Sequence, residues 1–288
     1  MILLDGKKVK EEVLNEIKEE NAKLDRKLGL VVIQVGDDPA SSVYVRQKEK
    51  MASSIGANFK HIKLEDNIRQ KHLIGLIESL NYDDEVDGIL LQLPIPSRFD
   101  LDKVINTINP EKDVDGLTRV NVEKLESGID GIVPCTPLGV MEMLKYYNID
   151  VKGKNVCVIG RSALVGKPVA ELLRSEGGIV SVCHSKTIDM KEITKRADIL
   201  VVAVGKKGLV TEDMVKNGAV MVDVGINRVD GKLYGDVDFS NVSGKCSYIT
   251  PVPGGVGPMT VAMLSKNLLH AYNLRNSKKK VRCLIKNN

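Results

Sequence analysis

The chain has 288 residues, of which 43% are hydrophobic and 28% charged, with a net charge of +4. That length allows one large or two ordinary domains with ample core, and the composition is ordinary for a globular chain. No apolar run approaches the roughly 18 residues of a membrane span, and Met1-Ile-Leu-Leu-Asp5 leads straight into a charged helical pattern with no secretory signal, so a cytoplasmic protein is expected.

In chain order, Lys7–Arg26 carries Val9, Val13 and Ile17 on one stripe and reads as an amphipathic helix. Leu30–Val35 is a continuous apolar strand, and Gly36-Asp-Asp-Pro39 a turn. Ser41 or Ser42 is placed to cap a helix reaching Ile55. Asn58–Leu64 alternates, Ile68–Leu80 is helical, and Gly88–Leu93 is a buried strand ended by Pro94 and Pro96. A short helix spans Asp100–Ile108, which completes a βαβ series with a parallel sheet. A non-periodic stretch holds Lys112-Asp-Val-Asp-Gly116 and Pro134-Cys-Thr-Pro137, and a helix follows over Leu138–Tyr147.

A second series begins at Asn155, with strands Val156–Ile159, Ile179–Cys183, Ile199–Ala203, Ala219–Val224 and Tyr248–Thr250. Asn227–Asp238 is an insert whose Asp230-Gly231 marks a hairpin turn. The expected fold is two α/β lobes with a cleft between them. The first is residues 1–118, completed by a C-terminal helix over 260–288, and the second is a Rossmann-type parallel-sheet lobe over 119–259.

Five cysteines (135, 157, 183, 246, 283) are scattered without a CxxC pair, which argues for reduced thiols. The histidines at 61, 72, 184 and 270 lack metal-ligand spacing, so no metal is expected. From Asn276 the chain carries Lys278, Lys279, Lys280, Arg282 and Lys286 and no acid. Such a tail can touch nucleic acid or acidic lipid. A frayed, solvated terminus is the simpler reading, and nothing else resembles a nucleic-acid module.

Val156-Cys-Val-Ile-Gly-Arg-Ser-Ala-Leu-Val-Gly-Lys-Pro168 is strand, glycine loop and helix start, with Gly160 and Gly166 flanking the turn. This is where a Rossmann-type lobe seats a pyrophosphate, although any βα turn can carry two glycines. The next strand ends in Cys183-His-Ser-Lys-Thr187, without the acid that an NAD site uses on the ribose. Arg161 and Ser185, with Lys186 a further candidate, instead suit a 2′-phosphate and so NADP, and Ser162 joins them as a cofactor-binding residue. Ile226, in Asp223-Val-Gly-Ile-Asn-Arg228, is placed for the nicotinamide side.

In the first lobe Tyr44 and Lys48 share a helix face at i and i+4. Alone that spacing is ordinary surface. Gln92 is a polar residue at the end of an apolar strand and needs a designated partner. Pro251-Val-Pro-Gly-Gly-Val-Gly-Pro-Met-Thr260 holds three prolines and three glycines before an apolar helix, a stiff loop suited to walling a site through Pro253, Gly254 and Gly255.

Taken in order, these stretches resemble the bifunctional methylenetetrahydrofolate dehydrogenase/methenyltetrahydrofolate cyclohydrolase family, FolD. The resemblance runs from Ile2-Leu-Leu-Asp-Gly-Lys to Leu269 and leaves out only the basic tail. It implies NADP-dependent oxidation of 5,10-methylenetetrahydrofolate and hydrolysis of the methenyl product to 10-formyltetrahydrofolate, in a homodimer. It also implies that Lys48 is the catalytic lysine, Gln92 its partner, Tyr44 a ring against the folate and Asp115 the pterin anchor.

A carboxylate suits the paired N–H donors of a pterin, and Asp113 is the fallback for that role. Hydrolysis needs a proton acceptor near neutrality, whereas a free lysine titrates near ~10.4. A neutral glutamine can hold that amine without favouring its charged form. Two other enzyme readings are a monofunctional dehydrogenase and an unrelated two-lobe NADP dehydrogenase. A third, from another class, is a nucleotide-sensing or nucleic-acid-binding protein.

Overall fold

The computed structural model describes residues 1–286, with side chains through residue 277. In chain order the elements are β1 (Ile2–Leu3), α1 (Gly6–Ala22), β2 (Gly29–Val35), α2 (Pro39–Ser54), β3 (Asn58–Leu64), α3 (Gln70–Tyr82), β4 (Gly88–Gln92), α4 (Leu101–Thr107), α5 (Arg119–Glu126) and α6 (Cys135–Tyr146). They continue with β5 (Asn155–Ile159), α7 (Gly166–Ser175), β6 (Ile179–Cys183), α8 (Met190–Thr194), β7 (Ile199–Val202), β8 (Val220–Asp223), β9 (Asn227–Val229), β10 (Lys232–Tyr234), α9 (Phe239–Val242), β11 (Tyr248–Ile249) and α10 (Val256–Lys286).

The chain divides into two compact units. One comprises residues 12–133 with the chain from 261 onward; the other comprises 1–11 with 134–260. The sequence-based division at 118/119 therefore differs at two places. Residues 119–133, with α5, pack with the N-terminal strands. There Asn121 donates to Pro110 O at 2.9 Å and to Asp113 Oδ2 at 3.0 Å. Residues 1–11 join the later unit because β1 adds a parallel strand beside β11, an element too short to show any periodicity.

The first unit holds a parallel three-stranded sheet in the order β3-β2-β4. Every residue of β2 and β4 is buried, as expected for apolar strands covered on both faces. Val31, Ile33 and Val35 on one face pack with Leu73 and Ile77 of α3 and with Ile89 and Leu91 of β4. On the other face α10 covers the sheet. Leu268 and Val114 lie where a side chain at Gly88 would stand, and Asn267 donates to Val114 O and Val133 O at 2.9 and 2.8 Å.

The second unit holds six parallel strands in the order β1-β11-β8-β7-β5-β6. Its core is Val, Leu, Ile, Met, Ala and Cys. The β9–β10 hairpin turns at Asp230 and Gly231, both at positive φ, as its Asp-Gly pair predicts.

Two local expectations change. The N-cap of α2 is Asp38, whose carboxylate accepts from Ser41 N–H at 2.7 Å, so neither serine caps the helix. The backbone of α10 stays helical through Lys286, where fraying was expected. Side chains of 278–288, including the basic tail and Cys283, lie outside the described residues. Within them the other four cysteines are buried, and no helix is long and apolar enough to cross a membrane.

Candidate functional site

Helix α2 buries Ser41, Val45, Met51 and Ala52 toward the sheet. Lys48 lies three residues beyond Val45, on the border of that stripe, and is half-buried. Its Nζ donates to Oε1 of Gln92 at 2.5 Å. Gln92 is the last residue of β4 and 6% exposed, and its Nε2 donates to Leu93 O at 2.7 Å, which turns the amide oxygen toward the lysine. Tyr44, one turn before Lys48 on α2, leaves 52% of its surface exposed.

Two polar residues that were not anticipated adjoin this pair. Gln34 of β2 stands beside Gln92 in register, is buried, and donates to Gly36 O at 3.2 Å. Its Oε1 meets His61 Nε2 at 3.1 Å. Partial burial, with Lys63 nearby, holds that imidazole below its ordinary pKa against the opposing charge of Glu49. Gln34, like Gln92, is a polar side chain in an apolar strand and needs a partner for the same reason.

The Lys112–Gly116 motif divides by role. Lys112 is buried and donates to Leu80 O and Asp83 O at 2.9 and 2.6 Å, at the C-terminal end of α3. Burial, reinforced by Arg275, pushes its pKa down to about 8. Asp113 is 1% exposed, and its Oδ2 accepts from Thr118 N–H at 2.7 Å and Asn121 Nδ2 at 3.0 Å. Asp115 is half-buried, and both acids border a recess lined by Leu91, Ile105, Ile108 and Leu117. One oxygen of the Asp113 carboxylate thus already serves the fold, which favours Asp115 over the fallback.

In the six-stranded unit, β5 is followed by Gly160, whose φ is 124°. A Cβ on Gly166 would lie 2.4 Å from Gly160 O and 2.8 Å from Arg161 N. Without that atom the first turn of α7 closes directly on the strand end. The result is a cradle that fits a pyrophosphate at a helix N-terminus. Arg161 and Ser162 are exposed in this turn, and Ser162 Oγ accepts from Gly166 N–H at 3.3 Å.

Ser185 is exposed after the neighbouring strand β6, in a turn where His184 N–H donates to Thr187 Oγ1 at 2.9 Å. Ile226 is exposed after β8, and its Cδ1 neighbours Gly257 at the start of α10. In the loop before that helix Pro253 is exposed, Gly254 half-buried and Gly255 buried. The close approaches of Gly255 are to Thr250 and Pro251, so this glycine shapes the loop itself.

Residues 4–115 match the family model described as tetrahydrofolate dehydrogenase/cyclohydrolase, catalytic domain, and residues 134–276 match its NAD(P)-binding domain. The chain is 54% identical over 280 residues to the bifunctional protein FolD of Campylobacter hominis, covering 96% of this chain and 98% of that one. The crystal structure of the Campylobacter jejuni FolD enzyme superposes with a TM-score of 0.92 at 49% identity, covering 95% and 99% of the two chains. The Trypanosoma brucei FolD enzyme, solved with NADP cofactor and inhibitor, superposes at 0.89 with 38% identity, covering 98% and 99%. With both domain models matched in order and full-length relatives at this identity, the chain belongs to the tetrahydrofolate dehydrogenase/cyclohydrolase family.

Proposed function

We propose that Lys48, Gln92, Tyr44 and Asp115 are the catalytic and folate-binding set of this enzyme. Gly160, Arg161, Ser162, Ser185 and Ile226 hold NADP, and Pro253, Gly254 and Gly255 form a wall on the substrate side. The enzyme oxidises 5,10-methylenetetrahydrofolate to 5,10-methenyltetrahydrofolate with NADP⁺ and hydrolyses that cation to 10-formyltetrahydrofolate. It thereby serves one-carbon metabolism. NADP⁺, when bound, supplies the hydride acceptor. Arg161 offers a forked donor set for the 2′-phosphate, and the turn after β6 puts no acid beside it.

The observation that carries the hydrolytic half is the 2.5 Å contact between Lys48 and Gln92. In hydrolysis, water adds to the methenyl carbon and must lose a proton as the new C–O bond forms. A neutral amine is a competent acceptor for that proton. Gln92 orients the amine through an uncharged oxygen, whereas a carboxylate there would hold it as ammonium. Asp115 accepts the pterin's two parallel donors, and the exposed ring of Tyr44 offers a flat apolar face to the folate. Orientation of the reacting carbons is the main demand of the oxidative step.

A spectrophotometric assay with 5,10-methylenetetrahydrofolate tests the reading. Reduced cofactor should appear faster with NADP⁺ than with NAD⁺, and none with either would overturn it. Lys48→Gln should lose cyclohydrolase activity by about a hundredfold or more while still binding folate; full hydrolysis by this variant would refute the lysine's role. By family resemblance the reading also includes a homodimer in the cytoplasm, checked by sedimentation and cell fractionation.

A further inference from the structure

Two aspartates in the six-stranded unit are buried, and neither belongs to the catalytic set. Asp236, after β10, is 0% exposed. Its Oδ2 accepts from the backbone N–H of Val204 at 2.7 Å and Gly205 at 2.9 Å. Its Oδ1 accepts from Lys206 N–H at 2.8 Å and Asn227 Nδ2 at 2.9 Å. Asp223, the last residue of β8, is 4% exposed. Its Oδ1 accepts from Gly225 N–H and Asp236 N–H, each at 3.0 Å, and its Oδ2 from Val237 N–H at 2.9 Å.

The packing leaves no slack. A Cβ on Gly225 would lie 2.1 Å from Asp236 Cγ, and one on Gly235 would lie 1.8 Å from Asp223 Oδ2. The β9–β10 hairpin therefore delivers one carboxylate onto three consecutive amides of the segment that leaves β7. The second carboxylate anchors both the segment leaving β8 and the return of the hairpin.

These segments leave the carboxyl ends of β7 and β8, the edge where open α/β sheets bind their ligands. The pyrophosphate turn follows β5, and the ribose-reading turn follows β6 on one side of it. The nicotinamide half must extend the other way, over β7 and β8. Because Val204, Gly205 and Lys206 all donate inward, that segment has only carbonyl oxygens and side chains to offer a ligand.

We propose that Asp236, braced by Asp223 and Asn227, is a positioning residue for the nicotinamide half of NADP. It acts through the Val204–Lys206 and Gly225–Ile226 segments and does not touch the cofactor. The proposal rests on the cofactor reading given above. If wild-type enzyme reduced neither NADP⁺ nor NAD⁺, that reading would fail; the outcomes below concern an active wild type.

The test is Asp236→Asn, which keeps the volume but turns an NH₂ group toward amide donors. In enzyme without cofactor, hydrogen exchange at Val204, Gly205 and Lys206 should quicken. The NADP⁺ dissociation constant and its KM should each rise about tenfold or more, as loss of hydrogen bonds to a charged acceptor predicts. The KM for 5,10-methylenetetrahydrofolate and the hydrolysis of methenyltetrahydrofolate without NADP⁺ should stay within twofold of wild type.

NADP⁺ affinity unchanged despite faster exchange would overturn the proposal. So would parallel loss of both activities in a folded variant, which marks a purely structural role. Should Asp236→Asn fail to fold, Asn227→Ala removes one donor and leaves the carboxylate intact. It should raise the NADP⁺ KM in the same direction, and no rise would equally overturn the proposal.

Discussion

Asp87 and Asp236 are both fully buried aspartates, held by opposite means. Asp87 precedes β4 at the amino end of the three-stranded sheet. It takes the Arg26 fork at 2.7 and 2.8 Å, a second guanidinium from Arg275, and Gly29 N–H at 2.8 Å. Asp236 and its neighbour Asp223, at the carboxyl end of the six-stranded sheet, take only uncharged amides. Cations neutralise Asp87 and tie α10 and the loop after α1 to the sheet. Amides leave the negative charge in place and fix the course of loops. Lys48 also meets a neutral amide at a carboxyl edge, that of Gln92. At these buried positions, charge pairing ties elements together at the amino edge, and uncharged donors hold the carboxylates at the carboxyl edge.

The largest effect expected from this contrast is at the ionic site. Asp87→Ala leaves two guanidinium groups and a backbone N–H without their acceptor and should cost about 3–5 kcal/mol in urea unfolding. A loss below about 1 kcal/mol would show that solvent replaces the carboxylate, and the contrast would fail.

A smaller effect is expected at Asp223. Burial, with the charge of Asp236 adding to it, pushes its pKa up from 3.8 to about 6 against the opposing amide hydrogen bonds. The folded protein then binds the proton more tightly than the unfolded chain does. The stabilisation is fully present below pH 3.8 and lost as pH rises through about 6. Its span is at most about 3 kcal/mol. The difference in unfolding free energy between wild type and Asp223→Asn should therefore shift by up to about that amount between pH 4 and 7. A difference that stays constant with pH would mean that the amide hydrogen bonds fully offset the cost of burying the charge.

The smallest effect is at Gln92. Gln92→Glu converts the amide pattern to the ionic one in place and favours the ammonium of Lys48. Cyclohydrolase rate at neutral pH should fall about tenfold, with the pH–rate profile displaced to alkaline values. An unchanged profile would refute the need for a neutral partner.

Much of the site was legible because its residues break local rules. Gln92 interrupts an apolar strand, Gly160 and Gly166 punctuate a strand-to-helix turn, and Asp230-Gly231 marks a hairpin. Gln34 breaks the same rule as Gln92 but was passed over inside a run otherwise continuous in Val and Ile. His61 lies on an alternating edge strand, where a polar residue is unremarkable. The division between Asp113 and Asp115 was illegible, because two acids in one loop differ only in what reaches them. Thr118 and Asn121 reach Asp113 from α5, an element that no periodicity announced.

By itself the sequence determined the types of the longer elements, the parallel sheets, the order of the motifs and the family they resemble. Each of these follows from hydrophobic period, turn residues and spacing along the chain. Tertiary structure alone decided which polar groups meet. It brought Lys48 to Gln92 across 44 positions and Asp236 to Val204 across 32. It also joined residues 1–11 to strands that begin near 155. A buried polar group needs a partner, but its own sequence neighbourhood does not name that partner. Only the packed chain does.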